Sequence, residues 1–121
     1  MAVELVPHVD KSDNLLGYVD RMEAYQKGLI HRGVHAIVQN PQGLYLITQR
    51  SQQKSTWPGC FDSGMAETVQ GDESYEAALR RGTQEELGVQ IQDLRLIREK
   101  YYQEYFWQNY KAFGMIYLYL F

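Results

Sequence analysis

The sequence has few of the features that define several large classes of protein. Its 121 residues include one cysteine, Cys60, and three prolines. A single cysteine excludes an internal disulfide and a cysteine cluster for structural zinc. No apolar run approaches the roughly 20 residues of a membrane-spanning helix, and residues 1–7 lack the basic start and apolar stretch of a secretory signal. These absences predict a soluble, cytoplasmic protein that does not enter a membrane.

An excess of one charge is also missing. Twelve lysines and arginines stand against 15 aspartates and glutamates, which gives a formal net charge of −3. This balance, without a basic cluster, excludes the usual electrostatic surface for duplex nucleic acid. Hydrophobic residues make up 45% of the chain and charged residues 22%, as in ordinary globular proteins. We therefore expect a single domain over residues 1–121 whose ligand is a small molecule.

Apolar runs and turn formers predict an α+β fold. In chain order they give an N-terminal hairpin (3–9 and 15–19), a helical turn (20–27), a second hairpin (34–38 and 44–48), a loop (51–61), a helix (73–87) and extended segments that end in a strand (112–121). The helix has an acidic first turn that complements its dipole, and Gly88 can take the left-handed conformation after its end. We expect this acidic helix to pack on a mixed β-sheet.

Carboxylates and aromatic rings are unevenly distributed along the chain. Six of the 15 carboxylates lie between residues 67 and 86: Glu67, Asp72, Glu73, Glu76, Glu85 and Glu86. Such a cluster is either a solvated helix face or a site for a hard cation. Ten of the 16 aromatic residues lie in the last 21 positions, where alternation predicts core and strand pairing, with stacking on a nucleobase as the alternative.

The spacing within the acidic cluster resembles a known motif. Glu73, Arg81 and the run Glu85-Glu86-Leu87-Gly88-Val89 follow the latter part of the Nudix box, G-x5-E-x7-R-E-U-x-E-E-x-G-U, in which U is aliphatic. Several other segments resemble, in the right order, the Nudix subgroup similar to isopentenyl diphosphate isomerase: 9–17, 31–38, 49–51, 57–59 and 70–75. Separated motifs in order are more specific than a single short string.

The resemblance implies a fold and an activity. The fold is the Nudix α/β/α sandwich, with residues 1–30 as an N-terminal hairpin extension and residues 31–121 as the core. The activity is hydrolysis of a nucleoside or other small organic diphosphate by water attack at phosphorus, with Mg²⁺ or Mn²⁺ as cofactor. Such a cation screens the diphosphate and lowers the pKa of the attacking water.

The resemblance also implies a role for individual residues. Glu85 and Glu86 match the metal-binding pair of the family, and Arg81 matches the arginine that holds these carboxylates in place, so that all three are candidate catalytic residues. Glu73 matches the preceding glutamate of the box and is a further candidate metal ligand. Arg50 and Lys54 match basic positions that face the substrate's diphosphate. Without the resemblance, these two would be solvated charges beside a loop.

Three departures from the box affect the predicted activity. Glu67 stands at the opening glycine, Gly82 at a glutamate that commonly binds metal, and Thr83 at an aliphatic position. We expect weakened metal affinity or lost catalysis unless Glu67 replaces the missing charge. The alternative function is a Nudix-fold binding or regulatory module that recognises a diphosphate, or a protein partner, without chemistry.

Isomerase activity is not supported by the sequence. In the isomerase-like pattern the catalytic cysteine position falls on Ala66, and two metal-histidine positions fall on Thr68 and Ala24, so that only His31 remains. Glu99 and Glu104 lie in the region where many Nudix hydrolases place an additional base or metal ligand, and this match is by region alone.

The last apolar run, residues 115–121, adds an expectation about partners. In the resembling family the chain continues into a further strand and a helix that cover the sheet. The chain would then be a fragment, a shortened protein, or one whose final strand is an exposed edge covered by a partner. We expect homo-oligomers formed through that exposed C-terminal strand.

Overall fold

A computed structural model describes residues 4–54, 57–105 and 110–120. Its elements in chain order are β1 (Leu5–Val9), β2 (Leu15–Asp20), α1 (Arg21–Lys27), β3 (Ile30–Gln39), β4 (Ile47–Gln49), β5 (Phe61–Ser63), β6 (Met65–Thr68), α2 (Tyr75–Leu87), β7 (Asp93–Tyr105) and β8 (Tyr110–Leu120). The described chain contains no helix long and apolar enough to cross a membrane.

The N-terminal hairpin and the short helix after it are confirmed. β1 and β2 pair antiparallel. Asp10 closes their loop, since its carboxylate accepts hydrogen bonds from the backbone N–H groups of Ser12 at 2.8 Å and Asn14 at 2.9 Å. Asp20 caps α1 by accepting from the N–H of Met22, and Gly28 ends the helix in the left-handed conformation.

The main sheet is mixed, as predicted, and has the strand order β6-β3-β8-β7. β8 runs parallel to β3 and antiparallel to β7. The prediction that residues 115–121 form an exposed edge is wrong for the part that the structure describes, because β8 has a paired strand on each side. Its backbone groups therefore offer no edge for homo-oligomer formation.

The second predicted hairpin is confirmed only next to its turn, where the N–H of Gly43 donates to the carbonyl oxygen of Asn40 and the N–H of Leu46 to that of Val38. Farther from the turn the prediction is wrong, because β6 pairs with β3 over residues 33–36 and β4 pairs with β5. Between β3 and the segment before β4 the described residues retain one isolated bridge, Gln39 with Tyr45. Gly64 allows the close approach of β6, because a Cβ atom there would lie 1.9 Å from the carbonyl oxygen of Ala36.

The predicted acidic helix is α2, two residues shorter than expected. It begins after Ser74, whose hydroxyl accepts a hydrogen bond from the N–H of Ala77 at 3.0 Å, so that Asp72 and Glu73 precede the helix. It ends at Gly88, which has φ 69°. The helix packs on β3 and β6. This arrangement confirms the α+β class and the helix on the mixed sheet.

One hydrophobic core joins α2 to the sheet. Its buried members are Val9, Val34, Ala36, Val38, Met65, Val69, Tyr75, Ala78, Leu79, Ile91, Phe113, Tyr117 and Tyr119. The prediction that the aromatic tail contributes to the core is confirmed for Phe113, Tyr117 and Tyr119. Phe106, Trp107 and Phe121 lie outside the described residues.

Candidate active site

Arg81 lies at the centre of the acidic cluster. From α2 its guanidinium reaches back to the segment before the helix, where Nε lies 2.7 Å from Oε2 of Glu73 and Nη2 lies 3.0 Å from Oε1. Nη2 also donates to the carbonyl oxygen of Thr68 at 3.0 Å. These contacts connect α2 to the end of β6 through one side chain.

Glu73 is fully engaged by this arrangement. Oε1 accepts a hydrogen bond from the N–H of Gln70 in addition to its bond with Arg81. Burial opposes ionisation of Glu73, but the hydrogen bonds from Arg81 and Gln70 outweigh it and lower the pKa of the carboxyl group. The role of Glu73 as a metal ligand stays a prediction, and its contacts favour the anchoring of Arg81.

Glu85 and Glu86 lie in the last turns of α2 and are both exposed. Oε2 of Glu85 lies 3.4 Å from Nη1 of Arg81, and its side chain is 61% exposed. Arg81 also bonds Glu67, with 3.3 Å between Nη1 and Oε1. One guanidinium is therefore shared among three carboxylates, and Glu86 adds a fourth acidic group beside them.

A cavity of about 250 Å³ opens beside Glu86. It is lined by Thr48, Gln49, Arg50, Ser51, Lys54, Asp62, Gly64, Ala66 and Glu86. The β4–β5 pairing forms one wall, since Thr48 and Asp62 are opposite each other in the register. The two predicted substrate-binding residues, Arg50 and Lys54, thus share a cavity with one predicted metal ligand.

The relation between Glu67 and Gly82 is a feature that sequence reasoning did not establish. A Cβ atom at Gly82 would lie 2.5 Å from Oε2 of Glu67 and 2.8 Å from its Cγ. Burial raises the pKa of Glu67, Arg81 opposes this rise, and the charges of Glu86 and Glu85 add to it. Two departures from the box, 15 residues apart in the chain, therefore meet in space.

The donors around Arg81 fit a hard divalent cation. Carboxylate oxygens are the ligands that Mg²⁺ and Mn²⁺ prefer. Three carboxylates contact one guanidinium here, and Glu86 lies one turn further along the same helix. Among the described residues, no three His, Cys, Asp or Glu side chains already converge closely enough to hold an ion.

Two other candidates lie away from this site. Glu104 accepts a hydrogen bond from the hydroxyl of Tyr102 at 3.0 Å and lines a different cavity, of about 410 Å³, together with His8 and Lys111. Glu99 is an exposed residue of β7. Neither residue shares the cavity of Glu86.

His31 is a buried core residue of β3. Its exposed fraction is 1%, and its ring lies 5.2 Å from that of Tyr25 and 4.8 Å from that of Tyr110, between centroids. Burial lowers the pKa of His31 to about 4. The prediction against isomerase activity stays a prediction. Cys60 is exposed and is not among the residues that line the cavity beside Glu86.

Comparison with known proteins decides the family. Residues 29–121 match the family model described as NUDIX domain. The chain belongs to the Nudix family. The box residues Glu73, Arg81, Glu85 and Glu86 all lie within the matched range.

Two curated relatives place this Nudix chain near the isomerase subgroup. A prenyl-diphosphate phosphatase from Methanosarcina mazei is 35% identical over 94 residues, which cover 78% of this chain and 55% of the relative. An isopentenyl-diphosphate Delta-isomerase from Photorhabdus laumondii is 32% identical, covering 75% of this chain and 52% of the relative. The chain spans about half the length of the curated relatives it matches. The resemblance drawn from the sequence is confirmed.

A solved structure confirms the fold. The crystal structure of the protein DR0079 from Deinococcus radiodurans superimposes with a TM-score of 0.77 at 28% sequence identity. The match covers 98% of this chain and 72% of the other. The mixed sheet with its packed helix is therefore the Nudix fold.

Proposed function

We propose that this Nudix chain hydrolyses a nucleoside or other small organic diphosphate by water attack at phosphorus, and that the reaction depends on Mg²⁺ or Mn²⁺. The observation that supports this most strongly is the cavity shared by Glu86, Arg50 and Lys54. A diphosphate needs cationic groups around its oxygens, and a divalent cation bound with it would need carboxylate ligands. Both kinds of group line one cavity of suitable size.

The cationic and the acidic side chains of the site have different roles. Arg50 and Lys54 bind the phosphate oxygens, and Glu85 and Glu86 would hold the cation at the end of α2. A divalent cation bound there supplies charge neutralisation and a lower pKa for the attacking water. Hydrogen bonds with Glu73 raise the pKa of Arg81, which therefore stays charged at every physiological pH. We assign Arg81 the role of a positioning residue that orients Glu85.

The organic group of the substrate is open within this class. The similarity to a prenyl-diphosphate phosphatase supports testing prenyl diphosphates beside nucleoside diphosphates. A panel of both classes, assayed by phosphate release with Mg²⁺ or Mn²⁺, identifies the group. The chemistry assigned to Glu86 is the same for either substrate class.

The decisive variant is Glu86→Gln, which keeps the shape of the side chain and removes its charge. Partners outside the ligand shell commonly change activity 10–100-fold, so loss of a ligand is expected to lower metal-dependent turnover at least about 100-fold. Glu76→Gln is the matched control, since Glu76 lies on the same helix, 53% exposed, and pairs with Arg80. Turnover in Glu86→Gln equal to that of the control would remove Glu86 from the mechanism.

The second candidate is the binding or regulatory module, and Gly82 favours it because a side-chain ligand is missing there. Calorimetric titration with the same panel separates the two functions. Binding that needs no metal and yields no product supports the module. Binding that strengthens with Mg²⁺ or Mn²⁺ and is followed by phosphate release supports the hydrolase.

A further inference from the structure

We propose that Glu67 supplies, from β6, the carboxylate that the box otherwise places at position 82, so that the glycine and the glutamate have exchanged positions. This inference rests on the proposed metal-dependent function and completes its ligand set. The cation would then meet carboxylates from two elements, Glu67 on β6 and the pair Glu85 and Glu86 on α2. The exchange turns two apparent defects of the sequence into one site.

The first argument is steric. The side chain of Glu67 occupies the space next to Gly82 that any other residue at position 82 would need for its own side chain. A Cβ atom there would lie 2.5 Å from Oε2 of Glu67, which is closer than real Cβ contacts. A glycine inside a helix costs about 1 kcal/mol relative to alanine, so its presence in α2 requires a reason. Contact with the Glu67 carboxylate is that reason.

The second argument is electrostatic. The Glu67 side chain is only 14% exposed, yet one guanidinium 3.3 Å away is its nearest cation, and that guanidinium also bonds Glu73 and Glu85. A partly buried carboxylate that shares one guanidinium with two other carboxylates keeps part of its negative charge unneutralised. A divalent cation between Glu67 and the end of α2 neutralises that charge.

The contact between Glu67 and Gly82 also changes the result expected from Gly82→Glu, the substitution that restores the glutamate of the box. Gly82→Glu alone introduces a Cβ atom that displaces the Glu67 carboxylate, and it adds a negative charge to an acidic site. The exchange predicts that Gly82→Glu is damaging by itself. Gly82→Glu is tolerated when Glu67→Gly is made in the same chain, because the second substitution removes the side chain that occupies the space beside position 82.

Binding of Mn²⁺ to the full chain tests the proposal without any substrate. Free Mn²⁺ is measured by electron paramagnetic resonance during titration of the native chain, Glu67→Gln and the control Glu76→Gln. We expect Glu67→Gln to weaken Mn²⁺ affinity about tenfold or more, and the control to bind as the native chain does. Equal affinity in Glu67→Gln and the control overturns the proposal.

The reciprocal change gives an independent result. Gly82→Glu is expected to lower the thermal midpoint and the Mn²⁺ affinity, and the double variant Glu67→Gly with Gly82→Glu is expected to recover most of both. A double variant that folds and binds Mn²⁺ no better than Glu67→Gln contradicts the exchange. If the double variant fails to fold, the isosteric Glu67→Gln decides alone.

The failure of this inference and that of the proposed function are distinguishable. Suppose that the native chain binds Mn²⁺, that Glu86→Gln loses affinity for it and that Glu67→Gln does not. The exchange is then wrong, and the proposed metal site stands. If the native chain binds no Mn²⁺ with or without a diphosphate, both are wrong.

Discussion

Two clusters of charge in this protein are balanced in opposite ways. In the Asp13 cluster one carboxylate meets two cations, with Nε of Arg32 2.7 Å and Nζ of Lys100 2.8 Å from its oxygens. In the Arg81 cluster one guanidinium meets the three carboxylates of Glu67, Glu73 and Glu85. The formal charge is therefore +1 in the Asp13 cluster and −2 in the Arg81 cluster.

The Asp13 cluster is closed and structural. The side chain of Asp13 is 2% exposed and also accepts a hydrogen bond from the hydroxyl of Tyr75 at 3.0 Å. Burial opposes its ionisation, but the bonds from Lys100, Arg32 and Tyr75 outweigh burial and lower the pKa of Asp13. The cluster joins the loop of the N-terminal hairpin to β3, α2 and β7.

The Arg81 cluster is open, and this difference supports the proposal that its carboxylates serve a ligand whereas Asp13 serves the fold. Every oxygen of Asp13 has a protein donor, so nothing further is needed there. Around Arg81 the carboxylates outnumber the cation, and Glu86, on the same helix, lines a cavity. Excess charge of one sign beside a cavity is typical of a functional site, whereas a buried and satisfied ion is typical of structure.

The largest effect is expected from Asp13→Asn, which would break the closed cluster. Asparagine tolerates the left-handed backbone of this position, φ 62°, so the variant removes charge without backbone strain. Removing one partner of a buried ion pair costs about 3 kcal/mol or more in free energy of unfolding. Urea unfolding measures it, and Glu23→Gln, which breaks an exposed pair with Lys27, is the control. Equal costs for the two variants would show that the Asp13 cluster contributes no more than a surface pair.

A smaller loss of stability is expected from Arg81→Lys in the open cluster. Lysine keeps the charge but cannot form the two-point contact with Glu73 or reach Thr68 at the same time, and we expect a loss of about 2 kcal/mol. The neighbouring Arg80→Lys is the control, because Arg80 is 46% exposed. Urea unfolding of both variants tests the difference, and a native-like midpoint for Arg81→Lys would contradict the anchoring role.

Local signals allowed much of this comparison to be predicted. The box spacing identified Arg81, Glu85 and Glu86, and the turn formers identified the hairpin that carries Asp13. The pairing of the strands could not be predicted from local sequence. β3 pairs in parallel with β8, about 80 residues later, and no local pattern encodes such a partner. The same limit explains why β4 was assigned to the wrong neighbour.

The contact between Glu67 and Gly82 was likewise hidden from one-dimensional reasoning. The sequence shows a missing glutamate and an extra one, and their closeness depends on how α2 lies across β6. The Asp13 cluster was missed for the same reason, since its members come from four separate elements. Residues that share an element were predictable from spacing, and residues that meet through packing were not.

The response to acid sharpens the comparison, because the pKa values of Asp13 and Glu67 shift in opposite directions. Asp13 stabilises the fold above its ordinary pKa of 3.8, and this contribution is lost as the pH falls through its lower folded value. Burial raises the pKa of Glu67, so the folded protein takes up that proton first and gains stability on acidification towards 4.5.

Urea unfolding at about pH 7, 5 and 3 measures both directions. Relative to the native chain, Asp13→Asn is expected to flatten the loss of stability at the acid end, and Glu67→Gln to remove the gain on mild acidification. His31, with a pKa of about 4, also titrates in this range, but it contributes equally to each chain and cancels in the difference. Parallel pH profiles for Glu67→Gln and the native chain would contradict the assigned shift of Glu67.

The smallest effect is expected from Lys100→Met, which removes one of the two cations of Asp13 and keeps the apolar stem. The Lys100 side chain is 48% exposed, and exposed ion pairs contribute about 1 kcal/mol or less, so the free energy of unfolding is expected to fall by no more than that. Arg32, 20% exposed, and Tyr75 still satisfy the buried carboxylate. A loss as large as that of Asp13→Asn would mean that Asp13 needs both cations, and the Asp13 cluster would then be no better supplied with partners than the Arg81 cluster.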